Sequence, residues 1–195
     1  MTTLTPLSSI AEVDAAAAGR TVPREFLALV RANPGSPALH SMRSDGGWNA
    51  WTLQEFADQV AGAAAGLAAV GVGAGERVLL MMRNRPDFHW FDAAAQFLRA
   101  TPVSIYNSSS PEEIQYLAGH AEARIAIVED AGFLERILKG RSELPALERV
   151  YVLEPPEGPL PDGVFAAAAL FGSGAADLEA RAAATEPVDI ATLIY

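Results

Sequence analysis

Cysteine is absent from the 195-residue chain, which excludes disulfide staples, thiolate metal sites and a cysteine nucleophile. Basic residues are scarce: 14 Lys and Arg stand against 24 Asp and Glu, a net charge of −10, and no basic stripe gathers them. Phosphate backbones are met by clustered cations, so no nucleic acid is expected as a partner. Long apolar runs are missing as well. The most apolar window, residues 60–72, is short and mostly Ala and Gly, well under the roughly 20 residues a membrane-crossing helix needs; peripheral membrane contact stays open. Met1 to Ile10 has neither a basic start nor a continuous apolar stretch and does not read as a secretory signal, so a cytoplasmic location fits. His40, His89 and His120 lie far apart without a neighbouring carboxylate pattern, and no metal ligands are assigned. A Gly-x-Ser-x-Gly elbow is lacking, which removes the main reason to expect a serine hydrolase. Gly71-Val72-Gly73-Ala74-Gly75 follows a predicted helix and precedes a predicted strand, the reverse of a dinucleotide fingerprint.

What is present is enough apolar material for a core: half of the chain is hydrophobic, suiting one domain or a large piece of a bigger one. Residues 1–21 read as a loosely ordered leader. Val22-Pro23-Arg24 opens a helix with Phe26, Leu27 and Val30 on one face, ended by Asn33-Pro34-Gly35. Residues 38–42 and 48–52 flank Ser44-Asp45-Gly46-Gly47, the composition of a short β-hairpin. Thr52 and Glu55 have capping-box spacing and start a helix carrying Phe56, Val60, Leu67 and Val70, with Gly71 as its left-handed cap.

From there apolar strands and helices alternate. Strands are predicted at 77–82, 102–106, 125–128 and 150–153, with helices opened by Pro86 and by Ser110-Pro111-Glu112-Glu113 and a third containing Phe133, Ile137 and Leu138. This is the pattern of an α/β fold with a mostly parallel sheet covered on both faces. Trp48, Trp51 and Trp90 read as packing residues. Residues 154–163, rich in Pro and Gly, and the Ala-rich residues 164–186 read as a surface excursion. Residues 190–195 read as one more buried-type strand, whose open edge implies an unfinished sheet.

Taken together, Gly75-Glu76-Arg77-Val78, then Arg83-Asn84-Arg85-Pro86, then Pro102-Val103-Ser104-Ile105-Tyr106-Asn107-Ser108-Ser109-Ser110-Pro111-Glu112-Glu113-Ile114 resemble the N-terminal region of adenylate-forming enzymes. Within them the chain is most similar to the AMP-forming fatty acid–CoA ligase branch. The resemblance implies that residues 22–195 are the N-terminal part of the AMP-binding domain. Asp189 to Tyr195 resembles the strand that precedes a Thr-Ser-Gly-Thr-Thr-Gly-x-Pro-Lys-Gly loop, so the chain stops before the phosphate-binding loop. The implied parent uses ATP, Mg2+ and CoA, joins a fatty acid to AMP with release of diphosphate, and passes the acyl group to the CoA thiol. No catalytic residue of that reaction falls in this chain, and the chain alone is expected to be inactive.

The resemblance also implies that Asn107, Ser108 and Ser109 border the path of the CoA pantetheine arm. Small polar side chains before a helix N-terminus suit a polar or anionic neighbour, although a plain turn before the Ser110 cap accounts for the same residues. Arg136 and Lys139 lie where some relatives place basic residues against CoA phosphates, without a motif match, and no role is carried over. Arg99 stands where the branch shows Gly; as a left-handed helix cap it costs on the order of 1 kcal/mol. Three alternatives remain at this level: an aryl-acid CoA ligase, an amino-acid adenylation domain, and a non-catalytic α/β binding module. A homodimer also stays open.

Overall fold

The computed structural model describes residues 9–195; residues 1–8 of the expected leader lie outside the described residues. The first element, α1 (Ile10–Ala17), carries a Ser9/Glu12 capping box but buries no side chain. In α2 (Val22–Ala32) the Thr21 hydroxyl accepts from the Arg24 amide, Pro23 sits in the first turn, and Leu27 and Val30 are buried. The hairpin follows as β1 (Pro37–Met42) and β2 (Trp48–Thr52), paired antiparallel. Its turn uses Gly46 at φ 83° and an Asp45 carboxylate that accepts from the Gly47 amide at 2.9 Å.

Thr52 ends β2 and caps α3 (Leu53–Ala69) through a capping box with Glu55. Gly71, at φ 94°, closes that helix as its amide donates to Ala68 and the Val72 amide to Leu67. Then come β3 (Arg77–Met81), α4 (Pro86–Phe97), β4 (Thr101–Ser104), α5 (Pro111–His120), β5 (Ile125–Val128), α6 (Ala131–Gly140), β6 (Arg149–Val152), β7 (Val164–Ala166), α7 (Leu178–Ala184) and β8 (Leu193–Ile194). The main sheet runs β7-β6-β5-β3-β4-β8 with every neighbouring pair parallel. This is the α/β architecture of the N-terminal domain expected from the sequence, with the antiparallel hairpin set before it.

The pleat divides the core in two. Val78 and Leu80 of β3 join α2, α3 and α4 on one face, while Leu79 and Met81 join α5 and α6 on the other. All four are at most 1 % exposed, which is why the run reads as continuously apolar; each such side chain contributes about 1.5–3 kcal/mol of burial.

Three expectations are corrected. Residues 164–186 are not a surface excursion: β7 pairs with β6, and Ala167, Leu170, Leu178 and Ala182 are buried. Small residues hid this packing, since they blur hydrophobic periodicity while allowing close approach. A Cβ on Gly66 of α3 would lie 1.7 Å from the Leu170 carbonyl oxygen, so the 3-10 turn Ala167–Phe171 lies directly on α3. The strand expected at 102–106 occupies Thr101–Ser104, with Ile105 buried beyond it. The buried-type strand expected at 190–195 is the two-residue β8 at the sheet edge, with Ile190 58 % and Ile194 74 % exposed. Such a run is buried only where layers cover both faces, and an edge strand lacks that cover.

Arg99 does adopt the left-handed conformation, at φ 59°. Its guanidinium pairs with Asp189 and Glu186, partners ninety and eighty-seven residues away that no local reading of the helix cap could supply.

Candidate functional site

In an open parallel sheet, ligands collect beyond the carboxyl ends of strands where the chain reverses its direction of progress across the sheet. Here β3 leads to β4 on one side, and the next strand, β5, lies on the other side of β3. At that point Glu129, 7 % exposed, accepts from the Arg83 amide at 2.6 Å and the Arg83 guanidinium at 2.8 Å. Asp130 caps α6 by accepting from the Gly132 and Phe133 amides, and it also takes Arg83 at 2.8 Å. Burial pushes the Asp130 carboxyl up, but the Arg83 bond and the two amides outweigh it and hold the group below its ordinary range. Arg85 extends the network to Asp87 and Glu154, each at 2.8 Å. The carboxylates at the reversal point are thus already paired with arginines of the same chain.

The neighbouring loop is more open. After β4, the Ser109 amide donates to the Tyr106 carbonyl at 3.0 Å, closing the turn that holds Asn107, Ser108 and Ser109. Ser109 is buried, while Asn107 and Ser108 are exposed. Ser110 caps α5: its hydroxyl accepts from the Glu113 amide and its own amide donates to the Glu113 carboxylate at 2.8 Å. The donors that would attract an anion at this helix start are therefore already engaged within the chain.

Ser108 and Ser109 line a groove with Tyr106, Glu113, Tyr116 and Tyr195. Asn107 instead turns its carbonyl to Arg136, whose Nη1 donates to it at 2.5 Å and to the Ser109 carbonyl at 3.4 Å. Arg136 also lies over the Phe133 ring at 4.6 Å, beside Arg83 at 4.9 Å. At the far wall the Tyr195 hydroxyl and His120 Nδ1 are 2.7 Å apart.

The three predicted site residues thus sit on one loop, two of them in the groove. Arg136, His120 and Tyr195 were not assigned from sequence as site residues, because their positions depend on how α5 packs on α6 and β8 on β4. Lys139, the chain's single lysine, pairs with Glu135 one turn away at 2.9 Å and does not join the loop. Among the described residues no three His, Asp or Glu side chains converge as a metal site.

The description "AMP-binding enzyme" matches residues 26–195. The chain belongs to the AMP-binding enzyme family. Over 132 residues it is 34 % identical to the protein named Uncharacterized protein Rv1549 of Mycobacterium tuberculosis, covering 68 % of this chain and 73 % of that one. Over 155 residues it is 33 % identical to the long-chain-fatty-acid–CoA ligase FadD15 of Mycobacterium bovis, covering 77 % of this chain and 25 % of the ligase. This AMP-binding family chain therefore spans about a quarter of that ligase.

Solved structures of the same fold include a long-chain-fatty-acid–CoA ligase from Archaeoglobus fulgidus, with TM-score 0.71, 21 % identity and coverage of 90 % of this chain and 34 % of that one. They also include a benzoate CoA ligase from Burkholderia xenovorans LB400, with TM-score 0.70, 22 % identity and coverage of 89 % and 32 %. The AMP-binding fold thus serves both acid classes.

Proposed function

We propose that these 195 residues form the N-terminal part of the AMP-binding domain of a cytoplasmic long-chain fatty acid–CoA ligase. The parent would convert ATP, fatty acid and CoA to acyl-CoA, AMP and diphosphate through an acyl-adenylate. The match of residues 26–195 to the AMP-binding family carries the reading, and the 33 % identity to a long-chain ligase favours a fatty acid over an aryl acid. Among the described residues no helix is long and apolar enough to cross a membrane, which agrees with a parent that meets its substrates from the aqueous side.

Within that parent, the part this chain supplies is a wall. Mg2+ would stabilise charge on the ATP phosphates, but from other parts of the parent. Ser108, Ser109 and the groove tyrosines offer neutral polar and aromatic surface, and Glu113 beside them repels phosphate. The groove therefore suits the uncharged pantetheine arm of CoA and not its phosphates. In the complete ligase, substituting Asn107 should raise the KM for CoA more than that for ATP, because it stands in the turn that carries Ser108 and Ser109 into the groove; equal effects would count against the assignment.

Two observations test the reading. The purified 195-residue chain should give no fatty-acid-dependent exchange of pyrophosphate into ATP, since the groups that meet ATP lie elsewhere. The coding sequence after Tyr195 should continue into a Thr/Ser/Gly-rich loop with a lysine; a stop codon there favours the binding module.

A further inference from the structure

The turn that leads into α5 directs two of its carbonyls at one place. The Ser109 amide closes the turn on the Tyr106 carbonyl at 3.0 Å, and this leaves the Asn107 and Ser109 carbonyls facing the same neighbour, Arg136. Carbonyl dipoles that converge repel each other, and each needs a donor. Arg136 Nη1 supplies it, donating to Asn107 at 2.5 Å and, in a longer and weaker contact, to Ser109 at 3.4 Å. The arginine comes from α6, twenty-nine and twenty-seven residues further along the chain. Among the described residues the other hydrogen bond of its guanidinium, from Nε at 3.4 Å, also goes to a carbonyl, that of Gly132. The charge on Arg136 is thus spent on backbone dipoles, where a charged donor binds more strongly than a neutral one.

The arginine is itself held from behind. Its guanidinium carbon lies 4.6 Å from the centre of the Phe133 ring, one turn back on α6, and Phe133 is fully inside the core. The Arg83 guanidinium lies 4.9 Å from the same ring centre and is fixed in turn by Glu129 and Asp130, each at 2.8 Å. A buried aromatic ring thus seats two cations, an arrangement its quadrupole favours. Arg136 therefore reaches the loop from a support that belongs to the core, whereas Asn107 and Ser108 are exposed.

We propose that Arg136 is the positioning residue of the loop 107–109: by clamping the Asn107 and Ser109 carbonyls it fixes the turn that carries Ser108 and Ser109 into the groove. It acts through the loop and not on a ligand. The effect on CoA rests on the ligase reading, in which this groove takes the pantetheine arm; the clamp itself rests only on this chain. A guanidinium suits the task because its planar fork fixes the direction of its donors, while a lysine offers the same charge on a flexible stem.

Hydrogen exchange of the intact 195-residue protein, with the KM values of the complete ligase, tests both parts. Arg136→Met keeps an apolar stem over Phe133 and removes the donors. In it the amides of residues 107–110 should exchange about fivefold faster or more, beyond any change in β3 and β5, since local and global opening are separate events. Arg136→Lys should fall between Met and Arg, and it decides the matter if Arg136→Met does not fold. In the complete ligase the Met variant should raise the KM for CoA about fivefold and leave that for ATP within about twofold, with Lys restoring part of the loss. A faster loop with an unchanged KM for CoA supports the clamp and overturns the path of CoA along this groove. An unchanged loop overturns the clamp even where the KM for CoA rises, because Arg136 would then meet CoA directly. Acceleration shared equally by loop and sheet overturns it as well.

Discussion

The two edges of the main sheet are closed by different physics. At the β7 edge the chain continues into the 3-10 turn Ala167–Phe171 and then α7, and Val164, Ala167 and Leu170 are at most 5 % exposed. At the β8 edge two residues pair with β4, Ile194 is 74 % exposed, and the segment is held by Arg99 on Asp189, by Leu193 against the core and by Tyr195 on His120. The turn after β7 is held to α3 by close packing, and the segment before β8 to the end of α4 by an ion pair. Packing of that kind is insensitive to salt and intolerant of added volume; ion pairing is the converse.

The sharpest way to break this comparison is Gly66→Ala. Its added methyl has no room against the Leu170 carbonyl, so the 3-10 turn must move; a loss of about 3 kcal/mol, measured by urea denaturation, is expected. A loss below 1 kcal/mol would mean that the turn after β7 is not close-packed on α3.

Next in size is Asp92, which lies on α4 between the two edges. Burial pushes its carboxyl up to about 6, against the opposing hydrogen bond from Gln96. Because the folded chain then binds that proton more tightly than the unfolded chain, stability falls as pH rises from the ordinary value of 3.8 to about 6. The cost is complete at neutral pH. Asp92→Asn should therefore add about 2 kcal/mol at pH 7 and little at pH 4. An equal effect at both pH values would show that the charge is not the cause.

Ser110→Ala removes the cap that starts α5 beside the groove and should cost about 1 kcal/mol. Smallest in net effect is Arg99→Gly, expected to change global stability by less than about 1 kcal/mol, because relief of the left-handed backbone offsets the lost pair.

Much of this was legible in the sequence because it is local. The Thr52/Glu55 and Ser110/Glu113 capping boxes, Gly71 as a cap and the apolar run at β3 announce themselves within a few residues, and all stand in the structure. The β7 edge was not legible, because Ala and Gly conceal packing that depends on backbone approach. The partners of Arg99 and Arg136 were hidden for another reason: Asp189 and the Asn107 carbonyl lie ninety and twenty-nine residues away, and only the assembled sheet brings them together. The loop 107–109 was singled out by the resemblance, while its grip by Arg136 and its tyrosine wall could not be read from sequence.

The most direct test of the central claim is a transplant. Residues 26–195 would replace the matching region of the FadD15 ligase, and the chimera would be assayed for long-chain acyl-CoA formation with ATP and CoA. If this chain is the N-terminal part of such a domain, a folded chimera forms acyl-CoA from a long-chain fatty acid. A soluble, cooperatively folding chimera that forms none would contradict the account.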